Sequence, residues 1–125
     1  MQATGVTLRL PASPAAPRAA RRGVVDGLAL DGELARSAAL LISEAVTNSV
    51  LHAGLAPSDL VRVDAWWSGD CVHVEVCDEG GGLDSPSAAG PREGGHGLNL
   101  IGRLAERWGF SCDGQTRVWF EIATY

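Results

Sequence analysis

The sequence predicts an α+β fold, a two-layer sandwich in which helices cover one face of a mixed, mostly antiparallel sheet. Short segments that alternate apolar and polar residues are typical of half-buried strands, while longer segments place apolar residues at helical spacing. The predicted order is strand, helix, helix, two strands, helix and two strands, which favours a sheet and helices packed as two layers. A chain of 125 residues without a recognisable linker is expected to form one domain, 1–125.

The first half of the chain contains one predicted strand and two predicted helices. Val6–Leu10 alternates apolar and polar residues, as a short strand does. Prolines break the chain after it, and a helix is predicted over roughly Ala15–Leu30. Asp31 is a suitable N-cap for a long helix that runs to about His52. The apolar residues at helical spacing in this second helix are Leu34, Ala38, Leu41, Ala45 and Val46.

A hairpin and a long loop follow the second helix. Leu60–Trp67 and Cys71–Cys77 are predicted strands joined by a tight turn at Gly69. The segment Asp78–Gly95 is a loop of eighteen residues that is rich in glycine. Loops of this length in a compact domain are usually functional or mobile.

The last part of the chain is predicted to contain a helix and a second hairpin. Gly97–Trp108 has apolar residues at helical spacing, and the glycine after it is expected to end the helix. The closing hairpin is predicted from Phe110–Cys112 and Arg117–Ala123. Trp108 and Trp119 are expected to lie in the core.

The basic residues exclude two kinds of nucleotide site. All ten of them are arginine, and the chain contains no lysine. A Walker A loop requires a lysine on the nucleotide phosphates, and the common protein-kinase fold requires a strand lysine in the same role. A bound nucleotide would therefore have to be held in another way. The net charge of −5 argues against a general nucleic-acid surface.

Cysteine usage and hydropathy indicate the compartment. The three cysteines show no metal-ligand spacing, and an odd number favours free thiols. No signal peptide is visible at the N-terminus, and no apolar run approaches the roughly 20 residues that a membrane span needs. We therefore expect a cytoplasmic protein with no membrane contact.

The predicted long helix carries a row of polar residues. Glu44, Asn48 and His52 are spaced four residues apart, so they share one side of the helix, next to apolar neighbours. An amide oxygen suits a hard cation such as Mg²⁺, and a carboxylate can take a proton from an attacking hydroxyl. The alternative is that these residues form the solvent edge of an amphipathic helix.

Two glycine-rich segments flank the long loop. Asp78 follows a valine-rich strand and precedes Gly80 and Gly82, so a flat base could approach the backbone closely there. Gly95 and Gly97 open the next predicted helix, where backbone N–H groups and the helix dipole favour an anion. Each segment taken alone is also compatible with an ordinary turn or helix start.

Taken in order, these segments resemble the GHKL ATPase superfamily, whose Bergerat-type pocket binds ATP. The elements of the resemblance are Glu-x-x-x-Asn on a helix, Asp-x-Gly-x-Gly after a strand, and Gly-x-Gly-Leu at a helix start. Residues 43–53 look most like the small bacterial anti-sigma-factor serine/threonine kinases. Residues 116–121 are similar to the last strand of single-domain actinobacterial relatives, so the resemblance covers essentially the whole chain.

The resemblance implies a role for each matching residue. Glu44 would be the general base, Asn48 would ligate Mg²⁺ between the phosphates, and Asp78 would bind the adenine amino group. Glycines would line the base pocket and contact the lid and the phosphates. The remaining cofactor-binding candidates are Gly80, Gly82, Gly95, Gly97, Leu98 and Thr116. Core packing is the alternative role for Leu98.

Two positions depart from the family pattern. The glycine and threonine expected near the last strand are separated by a glutamine, which affects the assignment of Thr116. The lid that this loop would form is short for the family, and Arg92 is its only basic residue. Arg92 is therefore the local candidate for contacting the terminal phosphate, with a solvated loop residue as the alternative.

The resemblance favours a kinase that uses ATP and Mg²⁺ to phosphorylate a STAS-domain anti-anti-sigma protein. A sigma factor is a further expected partner, and a homodimer is possible for such a protein. The alternative is a regulator that binds partners in a nucleotide-dependent way and transfers no phosphate. A histidine-kinase catalytic domain is less favoured, because the sequence shows no helix pair carrying a phosphoacceptor histidine.

Overall fold

The computed structural model describes the backbone of residues 5–52, 59–78, 104–112 and 116–123, and side chains over 5–50, 59–78, 104–109 and 117–123. Five strands and two helices lie within these ranges. In chain order they are β1 (Gly5–Pro11), α1 (Ala16–Gly27), α2 (Gly32–His52), β2 (Leu60–Ser68), β3 (Cys71–Asp78), β4 (Arg107–Cys112) and β5 (Thr116–Ala123). The predicted single domain 1–125 stays a prediction.

The strands form one sheet with the order β1-β2-β3-β5-β4. The predicted α+β class is confirmed, and every pairing among the described strands is antiparallel, although a mixed sheet was expected. α1 packs against β1 and α2, and α2 packs against β3 and β5. Both helices therefore cover the same face of the sheet, and this face is called the inner face below.

The core lies between the inner face and the two helices. Val72, Val74 and Val76 are fully buried on β3, and Phe120 of β5 is the largest fully buried side chain in the described part of the chain. The valines occupy alternate positions because successive side chains of a strand point to opposite faces. The alternation that predicted β3 from the sequence thus corresponds to the buried side of that strand.

α1 is shorter than predicted and lies close to β1. It ends at Gly27 because Leu28 leaves the helical conformation and Ala29 has a φ of 54°, which no α-helix allows. Gly23 faces β1 where a Cβ atom would lie 2.6 Å from Cδ1 of Leu8. The glycine thus permits a close contact between helix and strand.

The predictions for the last part of the chain need two corrections. Arg107–Cys112 is strand β4, so a helix reaching Trp108 was wrong. Gly109 does not end a helix but lies within β4, opposite Trp119 and against its indole ring. Arg107 and Trp108 pair with Glu121 and Phe120, and this non-local pairing outweighs local helical spacing.

The expected core positions of two tryptophans are also corrected. Trp108 is 40% exposed. Trp119 is half-buried, and register places it on the sheet face opposite Val118 and Phe120. A tryptophan on a strand reaches the core only when its position in the alternation matches the covered face.

Replacing Gly23 with alanine is expected to destabilise the protein. Alanine gains up to about 1 kcal/mol in helix propensity. Overpacking against Leu8 costs roughly 1–3 kcal/mol, so a net loss of up to about 2 kcal/mol is expected. Urea denaturation measures the difference, and Arg22→Ala on the exposed side of α1 is the control. A more stable Gly23→Ala protein would contradict the close packing of α1 on β1.

Candidate functional site

Helix α2 positions the first two candidate residues. Its buried stripe consists of Ala38, Leu41, Ile42, Ala45, Val46 and Ser49. Helical spacing puts Glu44 and Asn48 on one flank of this stripe and Ser43 on the other. Both Glu44 and Asn48 are half-buried, so they border the core and keep some access to solvent.

The opposite flank of α2 is occupied by α1. The Nη1 atom of Arg21 donates a hydrogen bond of 3.0 Å to Oγ of Ser43. Sequence analysis did not predict this contact, because nothing in the local pattern of α1 indicates which of its arginines reaches α2. The contact ties the two helices together on the Ser43 side and leaves the flank with Glu44 and Asn48 outside this helix–helix contact.

Asp78 is the last residue of β3. Its residue exposure is 2%, so a carboxylate is enclosed at the end of a central strand. Asp78 lies opposite Val61 of β2. On the β5 side, Cys77 pairs with Arg117, which brings Thr116 level with Asp78. Burying a carboxylate costs free energy unless hydrogen-bond donors or positive charges approach it. Asp78 has such an interaction with neighbouring groups.

Cys77 shows the electrostatic effect of Asp78. Burial, and after it the negative charge of Asp78, raises the pKa of the Cys77 thiol. The Sγ atom donates a hydrogen bond of 3.5 Å to the backbone oxygen of Asp78. Arg117 and Arg62 act in the opposite direction on this pKa, so the negative charge of Asp78 at the end of β3 lies close to two positive charges.

The structure describes the side chains of three predicted site residues, Glu44, Asn48 and Asp78, and their roles stay predictions. α2 packs directly on β3 and β5, so the helix with Glu44 and Asn48 covers the strands that end at Asp78 and begin at Thr116. The other candidates lie outside the described residues, namely Gly80, Gly82, Arg92, Gly95, Gly97 and Leu98. The side chains of Thr116 and His52 lie outside them as well.

The described side chains are compatible with a Mg²⁺ ion that is coordinated mainly by water and by the phosphate oxygens of a bound nucleotide. Within the described ranges, no group of three or more His, Cys, Asp or Glu side chains could hold a metal ion. Mg²⁺ usually keeps several waters and binds one or two protein oxygens together with phosphate oxygens. The amide oxygen of Asn48 fits such a site, and the half-buried Glu44 one turn away adds negative charge near it.

Fold and described side chains define a class of protein, namely a two-layer α+β domain whose long helix carries a carboxylate and an amide beside its buried stripe and packs on the sheet. A family model described as a histidine kinase-like ATPase domain matches residues 10–122. The chain therefore belongs to the histidine kinase-like ATPase (GHKL) family, whose domain binds ATP. No curated protein matches the chain. Neither described helix is long and apolar enough to span a membrane.

Alkylation should distinguish the thiols of Cys71 and Cys77. Cys77 is 7% exposed and Cys71 is half-buried, and the pKa of Cys77 is raised. Since the thiolate is the reactive form, iodoacetamide at pH 8 should modify Cys71 well before Cys77. In a Cys112→Ser variant only these two thiols remain, and mass spectrometry measures the alkylation rate of each. Equal rates would contradict the enclosed environment of Cys77.

Proposed function

We propose that this protein is a serine/threonine kinase that transfers the terminal phosphoryl group of ATP to a serine of a STAS-domain anti-anti-sigma protein. The observation that carries the proposal is that α2, with half-buried Glu44 and Asn48 on one flank, packs on β3, the strand that ends at the enclosed Asp78. Family membership supplies ATP binding. The two α2 side chains supply the chemistry that phosphoryl transfer requires beyond binding.

Asp78 binds the adenine end of the nucleotide in this proposal. Its enclosed carboxylate accepts a hydrogen bond from the exocyclic amino group of adenine. A base without an amino group at this position would not donate that hydrogen bond to the buried carboxylate, so it would bind less tightly. The carboxylate of Asp78 accepts hydrogen bonds only, so it suits the amino group of adenine and does not suit a phosphate. In this proposal the phosphates bind the segment that contains Gly95 and Gly97, as the family resemblance implies.

Asn48 and Glu44 act at the phosphate end. Asn48 would hold Mg²⁺, which when bound would neutralise charge on the phosphate oxygens. Glu44 accepts the proton of the target serine as its oxygen bonds to the terminal phosphorus. The bond from that phosphorus to the bridging oxygen breaks, and ADP is the leaving group. The half-buried position of Glu44 suits a general base, since it is reachable by a hydroxyl and shielded from bulk water.

The choice of partner depends on the resemblance of residues 43–53 to small anti-sigma-factor kinases. A sigma factor is the second proposed partner, which the kinase would hold until its STAS partner becomes available. Formation of a homodimer also belongs to this proposal. The proposed compartment is the cytoplasm, where these partners act.

A second candidate function is a nucleotide-dependent binding protein that transfers no phosphate. The observation favouring it is the single basic residue, Arg92, among residues 79–95. The transition state of phosphoryl transfer carries negative charge that arginine or lysine commonly stabilises, and one arginine stabilises it less than a cluster does. The phosphotransfer experiment below separates the two functions.

Asp78→Asn is expected to weaken nucleotide binding. Asparagine replaces one carboxylate oxygen of Asp78 with an NH₂ group. This group donates hydrogen bonds, so it cannot accept one from the amino group of adenine. Loss of one charge-assisted hydrogen bond costs roughly 1.5–3 kcal/mol, or about 10- to 100-fold in Kd. Calorimetric titration with MgATP and MgADP measures this, with Asp70→Asn in the exposed β2–β3 turn as the control. Unchanged affinity in Asp78→Asn would exclude the adenine contact.

Glu44→Gln is expected to abolish phosphoryl transfer while leaving nucleotide affinity nearly unchanged. General-base catalysis contributes roughly 10²–10⁴-fold to such rates. The assay incubates labelled ATP with purified STAS-domain proteins and follows phosphoserine. Glu33→Gln, in an exposed ion pair with Arg36 on the same helix, is the matched control. Full transfer by Glu44→Gln would exclude Glu44 as the base. Binding without transfer in the unaltered protein would favour the second function.

A further inference from the structure

The sheet face opposite the helices, called the open face here, carries a row of interacting side chains. Trp66 of β2 lies opposite His73 of β3, which lies opposite Glu121 of β5. Glu121 in turn lies opposite Arg107 of β4. Four strands therefore contribute one residue each to a line that runs across the sheet, away from the Glu44–Asn48 flank of α2.

His73 is stacked between two indole rings. Its ring centroid lies 4.4 Å from that of Trp66, with an interplanar angle of 25°. On the other side it lies 5.5 Å from Trp119, with an interplanar angle of 11°. A cation over an aromatic face is attracted by the ring quadrupole, so two flanking indoles favour the charged imidazolium.

Both ring nitrogens of His73 face carboxylate oxygens. Nδ1 lies 2.9 Å from Oε2 of Glu121, and Nε2 lies 3.1 Å from Oε2 of Glu75. The side chains of His73 and Glu121 are only 13% and 10% exposed. The Nε and Nη2 atoms of Arg107 donate to Oε1 of Glu121 at 3.0 and 2.6 Å.

This geometry distinguishes the two charge states of His73. The imidazolium has two N–H groups and donates to both carboxylates. The neutral ring has one N–H, so one nitrogen would present a lone pair to a carboxylate oxygen. That contact is repulsive in either tautomer, and the half-buried position limits replacement by water.

We propose that His73 is a proton-dependent clamp on the open face of the sheet. In its imidazolium form it joins β3 to β5 through Glu121 and remains stacked between Trp66 and Trp119. Loss of the proton breaks one of the two hydrogen bonds and releases the ring from that position. Histidine is the side chain whose charge ordinarily changes between pH 5 and 8.

The other charged groups near His73 have partners of their own. On β2, Asp64 accepts hydrogen bonds from Thr7 and from Nε of Arg62. On β4, Arg107 is bound to Glu121, and on β3 itself the neighbouring titratable groups are the Cys71 thiol and Glu75. The inner face of β3 carries only valines beside His73. The two glutamates are therefore the groups that hold the proton on His73.

The clamp also depends on the negative charge of Glu121, which is lost at low pH. The hydrogen bond from His73, followed by that from Arg107, holds the pKa of Glu121 below its usual range. A depressed carboxyl pKa gives stability that is present above the unfolded pKa and is lost as pH falls through the folded value. Loss of the His73 proton removes one of the hydrogen bonds to the glutamates, so the clamp requires both an ionised Glu121 and an imidazolium.

Tryptophan fluorescence tests the clamp in the intact protein. A stacked imidazolium quenches indole emission, so emission should rise in one step as pH increases from 5 to 8.5. The step should be absent in His73→Gln. It should persist in the double variant His52→Gln, His96→Gln, which removes the other two histidines. A flat wild-type titration, or a step that survives in His73→Gln, would overturn the proposal.

Glu75→Gln keeps the test decisive if His73→Gln fails to fold. Glu75 is 27% exposed, and its replacement removes one carboxylate while keeping a hydrogen-bond acceptor. The fluorescence step should then move to lower pH, and an unchanged midpoint would contradict the clamp. Nitrogen-15 NMR of the His73 ring gives the direct readout. Two protonated nitrogens at pH 6 support the clamp, and a single protonated nitrogen at that pH would refute it.

Discussion

The packing of α2 against the inner face of β3 and β5 is the contact on which the rest of the structure depends. The stripe from Ala38 to Ser49 covers the valines of β3 and Phe120 of β5, and nearly all of these side chains are completely enclosed. Burial of this much apolar surface is the dominant favourable term in folding. It also fixes the rotation of α2 about its axis, which decides where Glu44 and Asn48 are presented.

That rotation explains how one helix serves both the core and the site. Ser43 meets Arg21 on the flank next to α1, whereas Glu44, the adjacent residue, lies on the other flank. The candidate catalytic residues are thus held by the most deeply buried helix of the described chain. A site supported in this way keeps its geometry better than one carried only by loops.

The two faces of the sheet differ in composition and role. The inner face is apolar and stabilises the fold, while the open face carries carboxylates, arginines, a histidine and half-buried tryptophans. Glu121 is the central acceptor there, with His73 on one oxygen and Arg107 on the other. The side chain of Glu121 is 10% exposed and takes part in several hydrogen bonds at once, unlike isolated surface ion pairs, which contribute little.

Sequence by itself determined the elements with a clear local period. Alternation located β1, β2, β3 and β5 to within two residues, and helical spacing located α2, because these patterns reflect burial on one side of an element. The order of the polar and glycine motifs also indicated the family that the match over residues 10–122 shows. For the individual site residues, the structure adds the half-buried positions of Glu44 and Asn48 and the enclosed position of Asp78.

Only the tertiary structure decided the features that depend on distant pairing. β5 pairs with both β3 and β4, and this makes Arg107–Cys112 a strand, although its beginning fits a helix by local spacing. The same pairing joins His73 to Glu121, which are 48 residues apart in the chain. Register between strands is a property of the assembled sheet, so no local pattern could reveal which polar residues of the open face meet.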